Sequence, residues 1–446
     1  MSEAPQAQHR APARALGFWM CTALVVGNII GMGIFMMPAS LAPYGLNALS
    51  GWAVTVLGCA CLALVFAGLA RRFPRDDGPY DYMQRAFGPA TAFLVMWCYW
   101  VSVWVANAAI ALGVIGYLLY FAPRLTAMPL VPPVAAIVLV WVFVAVNLRG
   151  ARTAGWVQML TTILKVLPQL GVILLGLWLL LTQPRLYAAH VPTTPSSLGA
   201  IASVSTMTLF AMLGIECATI PAARVRDPER NIARATLTGT LIAAAIYIGI
   251  SVVPLFLIPQ QELAQSSAPF ADLLNRLLGG HWGGVIAVFV AVSGLGALNG
   301  WTLVIGEVTE TMARHGGFPR WLSRENAHGA PTRALVITGI IASLILLLTY
   351  AGSVGALFET LTTVAVYLSL PLYIGAGLAI ARLPRSSGRP LLLLGAALLA
   401  VFYCVWLFYG VKAKELLWGL GLGLAGVPVY LACTRVYVAP VSEAPR

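Results

Sequence analysis

Stretches of about twenty apolar residues recur along the chain at close intervals, and a helix of that length is what crossing a hydrocarbon core of ~30 Å requires. Twelve such windows start near residues 17, 48, 88, 129, 155, 198, 235, 282, 333, 356, 390 and 415. Within a bilayer no water is available to backbone N–H and C=O groups, so a spanning segment must satisfy them internally, as a helix does. The longest gap between windows, from about 258 to 280, is too short for a soluble domain. Composition agrees: 60% of the 446 residues are hydrophobic, 9% are charged, and the mean hydropathy is +0.86, far from an ordinary water-soluble domain. The sequence therefore predicts an all-α integral membrane protein, with a tail over residues 1–15, one transmembrane unit over 16–434 and a second tail over 435–446.

The net charge of +12 would suit nucleic acid if it were spread over a surface, but its placement follows the loops. With the N-terminus inside and an even number of spans, only Arg124, Arg185, Arg276, Lys412 and Lys414 fall in outer loops, and Lys165 alone lies in a span. The remaining 21 of the 27 Lys and Arg residues fall on the inner side, in clusters such as Arg71, Arg72, Arg75 and Arg85. That bias predicts cytoplasmic N- and C-termini by the positive-inside rule. It makes the positive charge a topology signal and excludes nucleic acid as a partner. The seven cysteines lie within spans or at their ends and form neither a disulfide framework nor a metal-ligand pattern, and no cofactor motif is present. The opening MSEAPQAQHRAPARALG is polar and basic without a cleavage site, and it reads as a cytoplasmic tail and not a removable signal.

Two windows are broken at matching places. The first, TALVVGNIIGMGIFMMPASLAP, is interrupted by Gly27, Gly31 and Gly33 with Pro38 beyond them, and the sixth, TLFAMLGIECATIPA, by Gly214 with Pro221 beyond it. Unwound backbone inside a bilayer is tolerated only where it lines a cavity or is buried in protein. Spans 1 and 6 also open two groups of five, residues 17–182 and 198–382, with spans 11 and 12 following over 390–434. An inverted-repeat transporter places its substrate site at such paired breaks. Freed N–H groups there can take a carboxylate and freed carbonyls an ammonium, which suits an amino acid or an amine.

Several motifs in order resemble the amino acid, polyamine and organocation transporter superfamily, and within it the bacterial basic amino acid and polyamine antiporters, including the arginine/agmatine exchangers. They are GNIIGMGIF with MPASLA (27–42), YWVSVWVAN (99–107), TLFAMLGIECA (208–218) with RDPERNI, and GWTLVIGE (300–307) with GGFP. The resemblance runs from about residue 17 to 434. It implies a twelve-helix inner-membrane transporter of the leucine-transporter fold, a 5+5 inverted repeat with discontinuous helices 1 and 6. It also implies a homodimer and an exchange cycle of alternating access for a small-molecule amino acid or amine. Carried over by position, Asn28, Ile29, Gly31, Met32 and Gly33 would hold a carboxylate, and backbone around Phe210 and Leu213 an amino group. Asn107 and Trp301 would hold a cationic side chain with Ser102 beside them, while Tyr99 and Glu216 would form the inner gate. The pattern departs from the arginine/agmatine exchangers at Met32, which stands for a serine, at Phe210, for a tryptophan, at Ser102 and Val103, for alanine and cysteine, and at Leu372, for a tyrosine, with Tyr373 adjacent. Three cargos therefore stay open: a cationic amino acid exchanged for its amine, a neutral amino acid moved with a proton, and a diamine.

Two ionisable residues in the apolar windows carry functional expectations of their own, because intramembrane charge is expensive. Glu216 follows the break at Gly214 and is expected to face the pathway. Lys165, in TTILKVLPQLG, lies too deep for its ammonium to reach the interface along its stem. The spacing VQMLTTILK resembles superfamily permeases whose fifth-span lysine takes the place of a sodium ion, which implies sodium-independent transport with Lys165 beside the span 1 break. An enzyme is disfavoured, since none of the five histidines lies deep in a span and no nucleophile elbow or pair of membrane carboxylates occurs. A channel would want rings of repeated polar side chains. Glu307 and Glu310, with Arg314 nearby, read as a solvated ion pair at the inner end of span 8, and the loop RRFPRDDGPYDY as a charged segment flanking the gate.

Overall fold

The computed structural model describes residues 15–31, 33–73, 78–126, 128, 130–266, 269–349, 354–383, 390–410 and 413–437. Among them the secondary structure is helical apart from two isolated bridges, Leu16 with Val225 and Glu325 with Pro331. In chain order the helices are α1 (Phe18–Ile29), α2 (Gly33–Leu41), α3 (Asn47–Arg72), α4 (Pro79–Phe87), α5 (Pro89–Leu118), α6 (Val131–Asn147), α7 (Ala151–Thr182) and α8 (Leu198–Met212). There follow α9 (Pro228–Leu257), α10 (Pro269–Leu278), α11 (Gly283–Arg314), α12 (Thr332–Thr349), α13 (Val354–Arg382), α14 (Pro390–Trp406), α15 (Ala413–Leu424) and α16 (Gly426–Tyr437), with a few single helical turns between. Eight described helices are long and apolar enough to cross a membrane, and four shorter apolar ones start at Phe18, Val131, Leu198 and Thr332.

Burial separates these helices by role. α1 is buried on all sides from Cys21 to Ile29, packed among α7, α9 and α11, and α5 is enclosed along most of its length by α11 and α13. In contrast α7 turns Trp156, Leu160, Leu167, Leu174 and Leu181 outward, and α15 and α16 expose Leu417, Trp418, Leu424 and Leu431. Side chains this apolar on an outer surface belong against lipid or another apolar surface. The buried centre is thus built around the interrupted α1 and the continuous α5.

Both discontinuities have local causes. α1 stops at Ile29, where the Ile30 N–H still reaches Val26 O (2.8 Å) but the Gly31 N–H turns back to Ile29 O (2.8 Å), and α2 begins at Gly33. α8 is started by Ser197, whose Oγ accepts from the Ala200 N–H (3.1 Å), and it ends at Met212. Beyond it no second α-helical half forms, contrary to a simple two-piece helix 6. Residues 213–221 run as successive turns, with the Cys217 N–H on Gly214 O (3.1 Å) and the Thr219 N–H on Glu216 O (2.8 Å), before a 3₁₀ turn at Ala222–Arg224. Thr219 Oγ1 donates to the same Glu216 carbonyl (2.6 Å), and Pro221 has no N–H to continue an α ladder, so the tighter i to i+3 pattern holds.

The two broken elements are tied at one end of the bundle. The Leu16 N–H donates to Arg224 O (3.0 Å) and the Arg226 N–H to Leu16 O (2.8 Å), so the lead into α1 and the exit from the turn segment form a short parallel bridge.

Candidate functional site

The breaks meet face to face. Gly214 has φ +114°, a backbone state L side chains rarely adopt, and a Cβ there would lie 3.1 Å from Asn28 Cβ and 3.3 Å from the Ile29 nitrogen. Glycine is required on both counts, conformation and approach. Gly214→Ala is expected to cost about 1–3 kcal/mol in backbone strain and to push the two breaks apart, lowering both the melting temperature and transport; an unchanged melt would contradict this packing.

Lys165 satisfies the carbonyl side of the first break. Its Nζ donates to Gly27 O (2.7 Å), Ile30 O (2.6 Å) and Ser293 O (3.2 Å), and the side chain is 1% exposed. An ammonium has three protons and no lone pair, so three carbonyls saturate it, at a helix C-terminus whose dipole favours a cation. Ser293 on α11 adds a donor to Gly31 O (3.1 Å). Tyr247 on α9 spans both breaks, its hydroxyl 2.6 Å from Ile29 O and 3.0 Å from Ala211 O.

Where the breaks adjoin, Asn28, Ile29, Gly31, Gly33, Phe210, Leu213 and Trp301 line one cavity, together with Ala106 and Ile110 of α5 and Ala211. Its volume is about 30 Å³, against roughly 300–1,000 Å³ for small-molecule sites. This is a closed state with room for water, and admitting a larger ligand requires the walls to part. Its polar atoms are few. The Trp301 Nε1–H donates to Asn28 O (3.3 Å), and Asn28 Nδ2 donates to Cys217 Sγ (3.0 Å), while Asn28 Oδ1 is buried with no hydrogen-bond partner. That oxygen packs against Gly300 of α11, where a Cβ would lie 1.9 Å from it, and Gly300 does not line the cavity.

Glu216 is set apart from this cavity. It is fully buried, with its two carboxylate oxygens accepting from Tyr99 of α5 (2.6 Å) and Tyr373 of α13 (2.7 Å). Lys165 and Glu216 therefore engage separate partners, one at each break. Of the other expected site residues, Ser102 donates to Tyr99 O (2.7 Å) and does not line the cavity, nor does Asn107, whose Oδ1 is buried without a partner. Met32 lies outside the described residues.

One expectation is corrected. Glu307 and Glu310 are not a solvated pair: they are 5% and 4% exposed, and both hold Arg224. Arg224 Nε lies 2.5 Å from Glu307 Oε1, and its Nη2 lies 3.0 Å from Glu310 Oε2 and 3.0 Å from Glu325 Oε1, while Arg314 stands further off at 3.6 Å from Glu310. Tyr247 and Ser293 join the site although no motif marks them. Their signal is weak but physical, since a buried hydroxyl in an apolar window needs an acceptor, and the carbonyls that a membrane helix leaves free are those of a break.

Residues 16–426 match the family described as amino acid permease. The cadaverine/lysine antiporter of Escherichia coli (strain K12) is 31% identical over 414 residues, covering 91% of each chain. A putative arginine/ornithine antiporter of Bacillus subtilis (strain 168) is 32% identical over 378 residues, 78% of this chain and 80% of the relative. The putrescine transporter of Escherichia coli (strain K12) is 32% identical over 370 residues, 82% and 83% of the two chains.

Proposed function

We propose that this chain, which belongs to the amino acid permease family, is a secondary active exchanger that trades a cationic amino acid against an amine by alternating access. The observation that carries this reading is the cavity between the breaks, where the backbone of α1 and α8 meets the ring of Trp301. Relatives that exchange cadaverine for lysine, or that carry putrescine, support the cargo class. In this reading the helices form two inverted repeats of five, over 17–182 and 198–382, with two more helices over 390–434. The bias of Lys and Arg supports both termini in the cytoplasm of a bacterial cell, and the apolar faces of α15 and α16 suit lipid or a second copy.

Among cationic cargos a diamine is favoured, since it needs no carboxylate contact at position 32, where the chain has Met32 in place of a serine. The Lys165 ammonium already occupies the carbonyls a sodium ion would need, so exchange proceeds without sodium.

Counterflow in proteoliposomes loaded with lysine, cadaverine, arginine, agmatine, putrescine or neutral amino acids tests the proposal. Exchange among the cationic cargos, unaffected by sodium, is the expected result, and no exchange with any of them refutes it. A desolvated cation over a tryptophan face gains about 2 kcal/mol, so Trp301→Leu is expected to raise KM for a cationic cargo about 30-fold. An equal rise for neutral and cationic cargos would remove the ring from cation recognition.

A further inference from the structure

Arg224 is one guanidinium among three carboxylates. Glu307 and Glu310 lie one turn apart on α11, and Glu325 follows on the segment after it. Arg224 belongs to a different body, the turn segment that leaves the span 6 break and is bridged to the start of α1 through Leu16 and Val225. In an alternating-access cycle the broken elements move against the rest of the bundle. When this end opens Arg224 leaves with the turn segment, and the carboxylates stay on α11 and its loop. Three acidic groups, two of them buried, are then left with Arg314 alone, 3.6 Å from Glu310 on the same helix, and under-compensated buried charge is costly.

A second observation points the same way. Glu307 also lines a small cavity, of about 10 Å³, shared with Asn147, and Asn147 is 2% exposed with an Oδ1 that has no hydrogen-bond partner. A carboxylate and an orphaned amide oxygen on one cavity both accept and neither donates there. What fits is a small donor, a single water at most while Arg224 is in place and an ammonium once Arg224 has left. The place is also on the way out, since six residues of helix separate Trp301 at the central cavity from Glu307, or about 9 Å at ~1.5 Å per residue.

We propose that Glu307, Glu310 and Glu325, with Asn147, form a second cation site at the mouth of the pathway, filled by Arg224 in the closed state and by the ammonium of the cargo when the mouth opens. This rests on the exchanger reading above. Arg224 then acts as a tethered stand-in for the cargo: it neutralises the mouth while the gate is shut and is exchanged for the departing or arriving amine. The ligand class is a primary ammonium or guanidinium, and a neutral amino acid gains nothing there.

Equilibrium binding of radiolabelled putrescine to the purified full-length protein in nanodiscs tests it. The wild type is expected to bind one equivalent, Arg224→Ala two, and Arg224→Ala/Glu307→Gln/Glu310→Gln one again. A single equivalent in Arg224→Ala at wild-type affinity overturns the site and leaves the cluster as a latch only; no binding by the wild type overturns the exchanger reading instead. Should Arg224→Ala fail to fold, Glu307→Gln/Glu310→Gln in oriented proteoliposomes decides the matter. KM for putrescine is expected to rise about tenfold, the worth of one charge-assisted hydrogen bond, from the mouth side alone and with kcat within about twofold. A rise of the same size from both faces, or none, overturns the proposal.

Discussion

Lys165→Ala is expected to abolish exchange and any proton-driven uptake, because it removes the cation that, beside the hydroxyls of Tyr247 and Ser293, holds the first break in its present shape. Gly27 O loses its partner and Ile30 O is left with the Ser293 hydroxyl alone, at 3.4 Å, while Ser293 O keeps its place in the α11 ladder. A buried acceptor left unpaired costs roughly 1–3 kcal/mol, and with the weakened contact at Ile30 O the loss is a sizeable part of the ~5–15 kcal/mol that holds a folded protein together. The break must rewind or admit water, and either outcome moves Asn28, Ile29 and Gly31 out of register with Gly214. Two measurements separate the roles of the lysine. If its charge only pins the break, Lys165→Arg recovers part of the transport with the wild-type pH profile, whereas a proton-carrying lysine leaves Lys165→Arg active in exchange but without net uptake under a pH gradient. Full uptake by Lys165→Ala with unchanged pH dependence would sink both.

That residue was legible in the sequence because depth alone is decisive: a single lysine in a continuous apolar window has to find acceptors in the protein, and a nearby glycine-rich break is where free carbonyls occur. Gly31 and Gly214 were legible for the same kind of reason, since glycine within an apolar run weakens a helix where the bilayer most demands one. The helix order followed from window length. What the sequence withheld were pairings between segments far apart in it. Tyr373 meets Glu216 across 157 residues and Tyr247 meets Ile29 across 218, and neither tyrosine differs in its local pattern from the aromatic residues that simply pack. The error at Glu307 and Glu310 has the same origin. Two acids at the end of an apolar helix look solvated until Arg224, 83 residues earlier, is folded back onto them through a turn segment that no helical periodicity announces.

Glu216→Gln is expected to slow turnover by about ten- to a hundredfold with KM for the cargo little changed, since the carboxylate meets two tyrosines and does not line the cavity. Hydrogen bonds to a charged group are worth about 1.5–3 kcal/mol each, and here both join the turn segment to helices on either side, Tyr99 of α5 and Tyr373 of α13. A carboxylate accepts from both hydroxyls at once. A glutamine offers one oxygen and one amide, so one tyrosine must reverse its hydroxyl and accept, and the symmetric clamp becomes a weaker neutral pair. If the clamp has to open and reclose in each cycle, the damage appears in kcat, and Tyr99→Phe and Tyr373→Phe each reproduce part of it, while the double variant adds little to Glu216→Gln because all three substitutions remove the same two bonds. If the carboxylate instead takes up a proton during the cycle, Glu216→Gln mimics the protonated form, so its residual turnover loses the pH dependence that the tyrosine variants keep. Wild-type kinetics for Glu216→Gln at every pH would take the residue out of the mechanism, and a rise in KM without a fall in kcat would move it from gate to binding site.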